Sequence, residues 1–269
     1  MERVSFFGSD SLNITVNGQK IEYTQKGEGD AVVLLHGWGS NRKLFDGIID
    51  VVSRKYKAIA PDLPGFGESE EPKGEWSVGD FADFVTDFLA ALNVKKAVFI
   101  GHSFGGRIIF KLFEREGLPF ETEKIILIDS AGVKPKKSAG QRLRIKMYKI
   151  SRRFLASAPV KALFPDALEN LRRKNGSADY NAASPVMRRC LVLAVNEDLT
   201  HVFERVNVPA LLIWGSRDDA TPLSDAKLME EKIPDAGLVV CEGAGHYSFL
   251  EQPYKCQRVI ASFLNIELG

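Results

Sequence analysis

Short, nearly continuous apolar runs recur along the chain, and the spacing between them leaves room for helices. Each run is four or five residues long, and most carry no polar residue. Runs of this kind are typical of parallel strands that are buried on both faces of a sheet. They predict six strands, at residues 31–35, 57–60, 97–100, 125–128, 210–214 and 238–241.

Between these runs the apolar residues recur every three or four positions, which is the period of a helix with one buried face. The clearest example spans residues 78–92, where Phe81, Phe84, Val85, Phe88 and Leu92 share one side. Similar patterns predict helices at residues 107–116, 223–232 and 257–264.

The chain opens with a different pattern. Asn17-Gly18 separates two apolar runs, at residues 12–16 and 21–25, and this dipeptide is a strong signal for a β-hairpin. An antiparallel hairpin followed by alternating strands and helices predicts an α/β protein. We expect a mostly parallel, twisted sheet with helices on both faces.

Residues 134–203 interrupt the alternation, since no strong strand pattern occurs there. We predict a helical cap inserted into a core formed by residues 1–133 and 204–269. The first helix of the cap has an apolar stripe and a basic stripe, which we expect to pack on the core and to face solvent, respectively. The stripes consist of Leu143, Met147, Ile150 and Phe154, and of Arg142, Lys146, Lys149 and Arg153.

Charge also distinguishes this region from the rest of the chain. The whole protein has a net charge of +1, but residues 134–200 contain 15 Lys and Arg against 5 Asp and Glu, a net charge of +10. Such an asymmetry indicates a separate structural unit. It also raises an alternative to the solvated basic face, namely peripheral contact of the basic helix with anionic lipid or recruitment of anionic substrates.

Composition otherwise indicates a globular enzyme, with 45% hydrophobic and 26% charged residues. The three cysteines, Cys190, Cys241 and Cys256, have no metal-ligand spacing, so we expect free thiols in a reducing compartment. Residues 1–7 lack the pattern of a signal peptide, and no apolar stretch approaches the roughly 18 residues of a membrane span. We therefore expect a cytoplasmic protein without an integral membrane segment.

The first chemical motif follows the run at residues 97–100. Gly101-His102-Ser103-Phe104-Gly105-Gly106 is a G-x-S-x-G sequence between a predicted strand and a predicted helix, which is the context that this nucleophile motif requires. A serine on so sharp a turn needs small residues two positions before and after it, and Gly101 and Gly105 meet that need. Ser103 is the predicted nucleophile, and we interpret His102 as a packing residue.

A serine needs a base to become nucleophilic at neutral pH. Of the four histidines, only His246 lies in a glycine-containing loop after the last strand run, and we predict that it is the base. The acid that orients it should follow a strand and precede the histidine. Asp218 is our choice, Asp219 is its rival, and Asp129 is a second alternative.

Two backbone N–H groups are candidates for an oxyanion hole. The Phe104 N–H begins the helix after Ser103, and the Trp38 N–H lies between two glycines in His36-Gly37-Trp38-Gly39. We interpret His36 as hydrogen-bonded to the backbone of that loop. Asp62-Leu63-Pro64-Gly65-Phe66-Gly67 is interpreted as a rigid structural turn near the site.

Together these motifs resemble the α/β-hydrolase superfamily, from about residue 30 to the C-terminus. The resemblance rests on His36–Gly39, Pro61–Ser69, Gly101–Gly106, Asp218 with Pro222, and His246 with Glu251 and Pro253. It implies the α/β-hydrolase fold, a Ser103–His246–Asp218 triad in the chain order of that fold, and an oxyanion hole from Trp38 and Phe104. The chain looks most similar to capped esterases and carbon–carbon bond hydrolases. In the latter a tryptophan tends to follow the catalytic histidine and the cap carries an arginine, whereas here Tyr247 follows His246 and the cap offers Arg188 and Arg189.

We therefore predict a serine hydrolase that cleaves a small to medium, partly apolar ester through an acyl-enzyme on Ser103. Trp38, Phe104 and Tyr247 are the predicted substrate-binding residues, with Phe249 and Leu250 nearby. No metal, organic cofactor or nucleic acid is implied. A carbon–carbon bond hydrolase, or a ligand-binding receptor that retains the triad, is the alternative.

Overall fold

The computed structural model describes residues 10–135, 139–157, 163–164 and 166–268. The expectation that no signal peptide is present falls on the first nine residues, which lie outside these ranges. Eight strands form one sheet: β1 Asp10–Val16, β2 Gln19–Lys26, β3 Ala31–Leu35, β4 Lys57–Pro61, β5 Lys96–His102, β6 Glu121–Ile128, β7 Ala210–Gly215 and β8 Ala236–Cys241. The six predicted buried strands and the opening hairpin are all among them.

The strand order is β1-β2-β4-β3-β5-β6-β7-β8. The pairs β1–β2 and β2–β4 are antiparallel, and every other neighbouring pair is parallel. Asn17 and Gly18 join β1 to β2 with φ angles of +51° and +74°, which is the backbone that an Asn-Gly hairpin turn uses. The predicted α/β fold with a mostly parallel sheet is confirmed.

The helices surround this sheet. They are α1 Asp46–Val52, α2 Val78–Ala91, α3 Phe104–Leu112, α4 Ala139–Leu155, α5 Ala167–Asn175, α6 Ala178–Ala182, α7 Pro185–Asn196, α8 Leu223–Lys232, α9 Ser248–Glu251 and α10 Pro253–Phe263. Ser77 caps α2 reciprocally with Asp80, which explains why that helix begins where it does. The short helices α1 and α9 were not predicted, because fewer than eight residues hold too few helical repeats.

Alternate residues of the central strands point to opposite faces and enter two separate apolar layers. Val33 and Leu35 of β3 pack with α2 and α3 on one face. Val32 and Leu34 pack with α1 and α10 on the other face. Burial on both faces is the physical reason why these strands appear as continuous apolar runs in the sequence.

The described secondary structure between β6 and β7 is helical and includes α4 to α7. Helix α7 packs against α2 and buries Met187, Cys190 and Ala194 in the first apolar layer. No helix in the described ranges is long and apolar enough to cross a membrane. The three cysteines are buried and form no disulfide.

One prediction about this segment is wrong. Met147, Ile150 and Phe154 of α4 do not pack on the core but are 55%, 55% and 65% exposed, and we call them the outer stripe. The helix instead turns another face inward, so that Ile145, Tyr148 and Leu155 are half-buried. The predicted basic residues Lys146, Lys149 and Arg153 are exposed as expected. The side chains of Leu143 and Arg142 lie outside the described part of the chain.

Candidate active site

Ser103 lies on the turn between β5 and α3, at the carboxyl edge of the sheet. Its φ of +50° and ψ of −108° place it in a strained region for a residue with a side chain. The flanking glycines make the turn possible, as the sequence predicted. A Cβ on Gly105 would overlap the Leu35 carbonyl group, and one on Gly101 would lie 2.6 Å from Ile109 and 2.8 Å from the Gly105 carbonyl carbon.

His246 reaches Ser103 from the loop after β8. Gly243 opens the loop with a φ of +82°. The Gly245 N–H donates to both carboxylate oxygens of Glu251, at 3.0 and 3.1 Å, which closes the loop onto α9. From the turn that carries Ser103, the buried His102 forms a 2.8 Å hydrogen bond between its Nε2 and the His246 carbonyl oxygen. The loop is therefore held from both sides.

Asp218 follows β7 in a tight turn that contains Thr221. Its Oδ1 accepts the N–H groups of Ala220 and Thr221 at 2.8 and 2.9 Å. Its Oδ2 lies 2.6 Å from the Thr221 hydroxyl. These bonds leave the second carboxylate oxygen directed toward the loop that carries His246.

The three predicted residues meet in one hydrogen-bonded chain. His246 Nε2 lies 2.9 Å from Ser103 Oγ, and His246 Nδ1 lies 2.8 Å from Asp218 Oδ2. A carboxylate only accepts hydrogen bonds, so it holds the imidazole with the proton on Nδ1 and the lone pair of Nε2 directed at the serine. This arrangement is able to remove the proton of the Ser103 hydroxyl.

The electrostatics of the acid suit this geometry. Burial alone would raise the pKa of Asp218, but hydrogen bonds from His246 and Thr221 outweigh that effect and lower its pKa below the ordinary value. Asp218 is therefore ionised at neutral pH, and its Oδ2 accepts the hydrogen bond from His246 Nδ1.

The two alternative acids do not contact His246. Asp219 is exposed to solvent. Asp129 is fully buried, but its carboxylate accepts from the Gly215 N–H at 2.8 Å and from the Ser248 N–H and hydroxyl at 2.9 and 2.7 Å. Burial raises the pKa of Asp129 to about 6, despite these hydrogen bonds. Asp129 thus ties the end of β7 to the start of α9.

Trp38 and Phe104 are the residues whose backbone N–H groups the sequence analysis names as candidate oxyanion donors. Trp38 and Phe104 line the same cavity as Ser103, and their rings are in edge contact with centroids 5.1 Å apart. Neither N–H takes part in the turn and loop hydrogen bonds of the described residues. Both N–H groups therefore stay candidate oxyanion donors.

The loop before Trp38 is held by His36 and the 61–69 turn. His36 Nε2 accepts the Leu63 N–H at 3.0 Å, and Nδ1 bonds to the Gly37 carbonyl at 2.8 Å. Burial lowers the pKa of His36 to about 4, so the ring is neutral. Asp62 forms a buried ion pair with Arg42 and accepts the Glu68 N–H, which makes the turn rigid. His36 and the turn that contains Asp62 therefore have a structural role, as interpreted from the sequence.

The cavity above Ser103 has a volume of about 250 Å³, and the predicted substrate-binding residues Trp38, Phe104 and Tyr247 line it. Two residues expected nearby do not line it. Phe249 is buried against Phe45, and Leu250 points into solvent.

Arg188 and Arg189 also lie away from this cavity, in a separate groove. They belong to the segment between β6 and β7, residues 129–209, which we call the inserted segment. Arg188 donates to the Tyr180 carbonyl oxygen at 2.9 Å, and Arg189 pairs with Glu75 at 2.5 Å.

Sequence reasoning missed four polar residues of the cavity wall, Thr221, Arg107, Asp179 and Asp225. Thr221 contacts the carboxylate of Asp218, Arg107 is buried with one hydrogen bond to the Glu197 carbonyl oxygen at 2.9 Å, and Asp179 extends from α6. The sequence carried a signal only for Thr221, which follows Asp218 at the spacing of a capped turn.

Comparisons with known proteins agree with this fold. The AB hydrolase superfamily protein YisY of Bacillus subtilis is 28% identical over 251 residues, which cover 89% of this chain and 93% of that protein. A pimeloyl-[acyl-carrier protein] methyl ester esterase of Aeromonas hydrophila is 28% identical over 254 residues, 88% of this chain and 96% of that protein. Among solved structures, Est816, described as an N-acyl homoserine lactone degrading enzyme, matches with a TM-score of 0.70 and 25% identity over 94% of this chain and 100% of that one.

A family model described as the alpha/beta hydrolase fold matches residues 30–253, which include every motif of the candidate site. The eight-stranded, mostly parallel sheet agrees with that description. The chain therefore belongs to the alpha/beta hydrolase family.

Proposed function

We propose that this protein is a serine hydrolase that cleaves a small to medium, partly apolar carboxylic ester. The observation that carries the proposal is the hydrogen-bonded chain from Ser103 Oγ through His246 to Asp218. Two of the similar proteins support an acyl-oxygen bond as the target, since one is named an ester esterase and the other a lactone-degrading enzyme.

In the proposed mechanism Ser103 Oγ attacks the ester carbonyl carbon as His246 Nε2 takes its proton. Asp218 keeps the imidazole in position and stabilises the imidazolium that forms. The negative oxygen of the tetrahedral intermediate binds the N–H groups of Trp38 and Phe104. Each such donor contributes on the order of 3 kcal/mol to transition-state stabilisation.

The intermediate collapses when His246 returns the proton to the leaving alcohol. The acyl group remains on Ser103 Oγ. Water then attacks the carbonyl carbon of this acyl-enzyme while His246 takes a proton from it. The imidazolium returns that proton to Ser103 Oγ as the carbon–oxygen bond to the serine breaks and the carboxylic acid leaves. No step needs a metal or an organic cofactor.

The cavity supports a substrate of limited size. Its volume of about 250 Å³ is below the usual range for drug-sized ligands, roughly 300–1,000 Å³. Trp38, Phe104 and Tyr247 offer apolar contact, while Arg107 and Asp179 restrict where polar groups of a substrate can lie. We propose that the inserted segment acts as a cap, because Leu191 and Val195 of α7 also line this cavity.

Replacement of Ser103 tests the proposal. We expect Ser103→Ala to reduce kcat on a short-chain aryl ester by a factor on the order of 10⁶, since the nucleophile is lost. The exposed Ser224, replaced in the same way, is the matched control and should leave kcat unchanged. Full activity in Ser103→Ala would refute the proposed nucleophile.

A fluorophosphonate probe separates the hydrolase from a receptor that retains the triad. The probe should label the wild-type protein and Ser224→Ala but not Ser103→Ala. Saturable ligand binding without labelling and without ester turnover would favour the receptor.

A further inference from the structure

Helix α4 presents an apolar face to solvent although it has a second face that packs on the protein. Met147, Ile150 and Phe154 of the outer stripe follow one another at the spacing of a single helical side. Ile145, Tyr148 and Leu155 occupy the opposite side and are half-buried. In the described ranges the principal neighbour of α4 is α5. No described part of the chain therefore covers the outer stripe.

More apolar surface follows α4 in the chain. Leu163 and Phe164, the next two described residues after Ser157, are also largely exposed. An isolated exposed leucine or phenylalanine is ordinary, but several large apolar side chains within one short stretch mark an interaction surface.

The charges beside the outer stripe restrict what can cover it. Helix α4 contains six Lys and Arg and no Asp or Glu. At 100° per residue, Lys146, Lys149 and Arg153 lie along one edge of the stripe, and Arg144 lies along the other. These four side chains are exposed, and none of them forms an ion pair with another described residue. The stripe is thus bordered by positive charge on both edges.

This combination fits a lipid surface better than a protein partner. The centre of a protein–protein interface is depleted of lysine, because desolvating the ammonium group is costly. At a bilayer interface the apolar side chains enter the acyl region while the long basic side chains reach the phosphates. Anionic lipids add an attraction for each basic group near the surface.

We propose that α4 is a peripheral membrane-binding helix. Its outer stripe inserts into an anionic lipid surface, and Arg144, Lys146, Lys149 and Arg153 bind the lipid phosphates. The proposal is independent of the proposed hydrolase activity, because none of these residues lines the cavity above Ser103.

Vesicle binding by the full chain tests this surface. We expect co-sedimentation with vesicles of equimolar phosphatidylcholine and phosphatidylglycerol, and much weaker binding to phosphatidylcholine alone. Added salt should weaken the interaction, because the screening length falls to about 3 Å at 1 M. No binding to the anionic vesicles at low salt would overturn the proposal.

Two variants separate insertion from simple charge attraction. Replacing Met147, Ile150 and Phe154 together by serine should weaken binding to anionic vesicles about tenfold or more. Replacing Lys146, Lys149 and Arg153 by glutamate should abolish it. Tyr254→Ser, which removes an exposed aromatic residue from α10, is the matched control and should bind as the wild type does.

The remaining outcomes decide against the proposal. If the serine variant binds as tightly as the wild type, charge alone is responsible and the stripe does not insert. A second outcome is that the wild type does not bind vesicles but self-associates in analytical ultracentrifugation. If the serine variant then stays monomeric, the stripe is a contact between copies of the chain. Binding only to an acidic protein would likewise assign the surface to a protein partner. Urea unfolding of each variant shows that the fold is intact.

Discussion

Asp218 and Asp219 carry the same carboxylate group but differ in their burial. The Asp218 side chain is buried and reaches His246, whereas Asp219 points into solvent one position later. Only the first carboxylate can hold the imidazole tautomer that the proposed mechanism needs.

The amide substitutions of these two residues form a matched pair. We expect Asp218→Asn to reduce kcat on an aryl ester by roughly 10³–10⁴, because the amide no longer stabilises the imidazolium. Asp219→Asn should leave kcat close to the wild-type value. Equal losses in both variants would contradict the assignment of Asp218 as the acid.

The Thr221 hydroxyl lies 2.6 Å from Asp218 Oδ2, 3.4 Å from His246 Nδ1 and 3.0 Å from the Asp129 carbonyl oxygen, so we interpret Thr221 as a positioning residue for the acid and the base. Thr221→Val keeps the shape of the side chain but removes the hydroxyl 2.6 Å from Asp218 Oδ2. A buried hydrogen bond to a charged group is worth about 1.5–3 kcal/mol, so kcat should fall by roughly tenfold or more.

The conservative variant of the same residue distinguishes positioning from packing. Thr221→Ser restores the hydroxyl and loses only a methyl group, so it should recover most of kcat. A loss in Thr221→Ser as large as in Thr221→Val would show that packing, and not the hydroxyl, is responsible.

At the scale of elements, the site depends on how closely β3 and α3 approach each other. Gly105, at the start of α3, leaves no room between that helix and the Leu35 carbonyl group at the end of β3. The same approach places the Trp38 loop beside Ser103. Packing of two elements therefore sets the position of the proposed oxyanion hole.

A methyl group at Gly105 should separate these elements. We expect Gly105→Ala to lower the free energy of unfolding by about 1–3 kcal/mol, because the added atom has no space. Turnover should fall as well, since the Trp38 N–H moves relative to Ser103. Urea unfolding and aryl ester kinetics measure the two effects.

Gly237 offers the matched control within a strand. A Cβ there meets no atom within 4 Å, and its φ is not in the left-handed region. Gly237→Ala should therefore leave turnover unchanged and stabilise the protein by about 0.5 kcal/mol. Equal stability of both alanine variants would contradict the close approach of α3 to β3.

At the scale of the whole molecule, two buried histidines link stability to pH. Burial lowers the pKa of His36 to about 4 and that of His102 to about 3. In the unfolded chain a histidine has a pKa of about 6.5. Between these values the unfolded chain binds protons that the folded protein does not.

The free energy of unfolding should therefore fall as the pH is lowered from about 6.5 toward 4, with a slope of up to about 1.4 kcal/mol per pH unit for each histidine. Asp129 acts in the opposite direction, because its raised pKa of about 6 lets the folded state bind a proton first. Burial raises the pKa of Asp46 and Asp225 as well. We expect the two fully buried histidines to outweigh these three carboxyl groups, so the net effect is loss of stability in acid.

Urea midpoints measured from pH 7.5 to pH 5 check this balance. His102→Gln should be less stable at neutral pH but should show a weaker pH dependence, since one titrating group is removed. Gly237→Ala, which removes no titrating group, is the control, and its pH dependence should follow the wild type. An unchanged slope in His102→Gln would exclude His102 as a source of the effect.

The sheet and the turn that carries Ser103 were determined by the sequence itself, because their signals are local. A strand buried on both faces must be apolar at every position, and a serine on a sharp turn must have small residues two positions away. For the same reason the loops at residues 36–39, 101–106 and 243–251 are recognisable from their own residues, without any contact between them.

Other features were decided only by the tertiary structure. The choice between Asp218 and Asp219 depends on which carboxylate meets a loop 28 residues away, and the place of Arg107 depends on a carbonyl group at Glu197. Helix α4 has two partly apolar sides, and periodicity alone predicts that the more apolar side is buried. Which side faces inward is decided by the surface that the rest of the chain offers, because burial is a property of atoms that are distant in sequence.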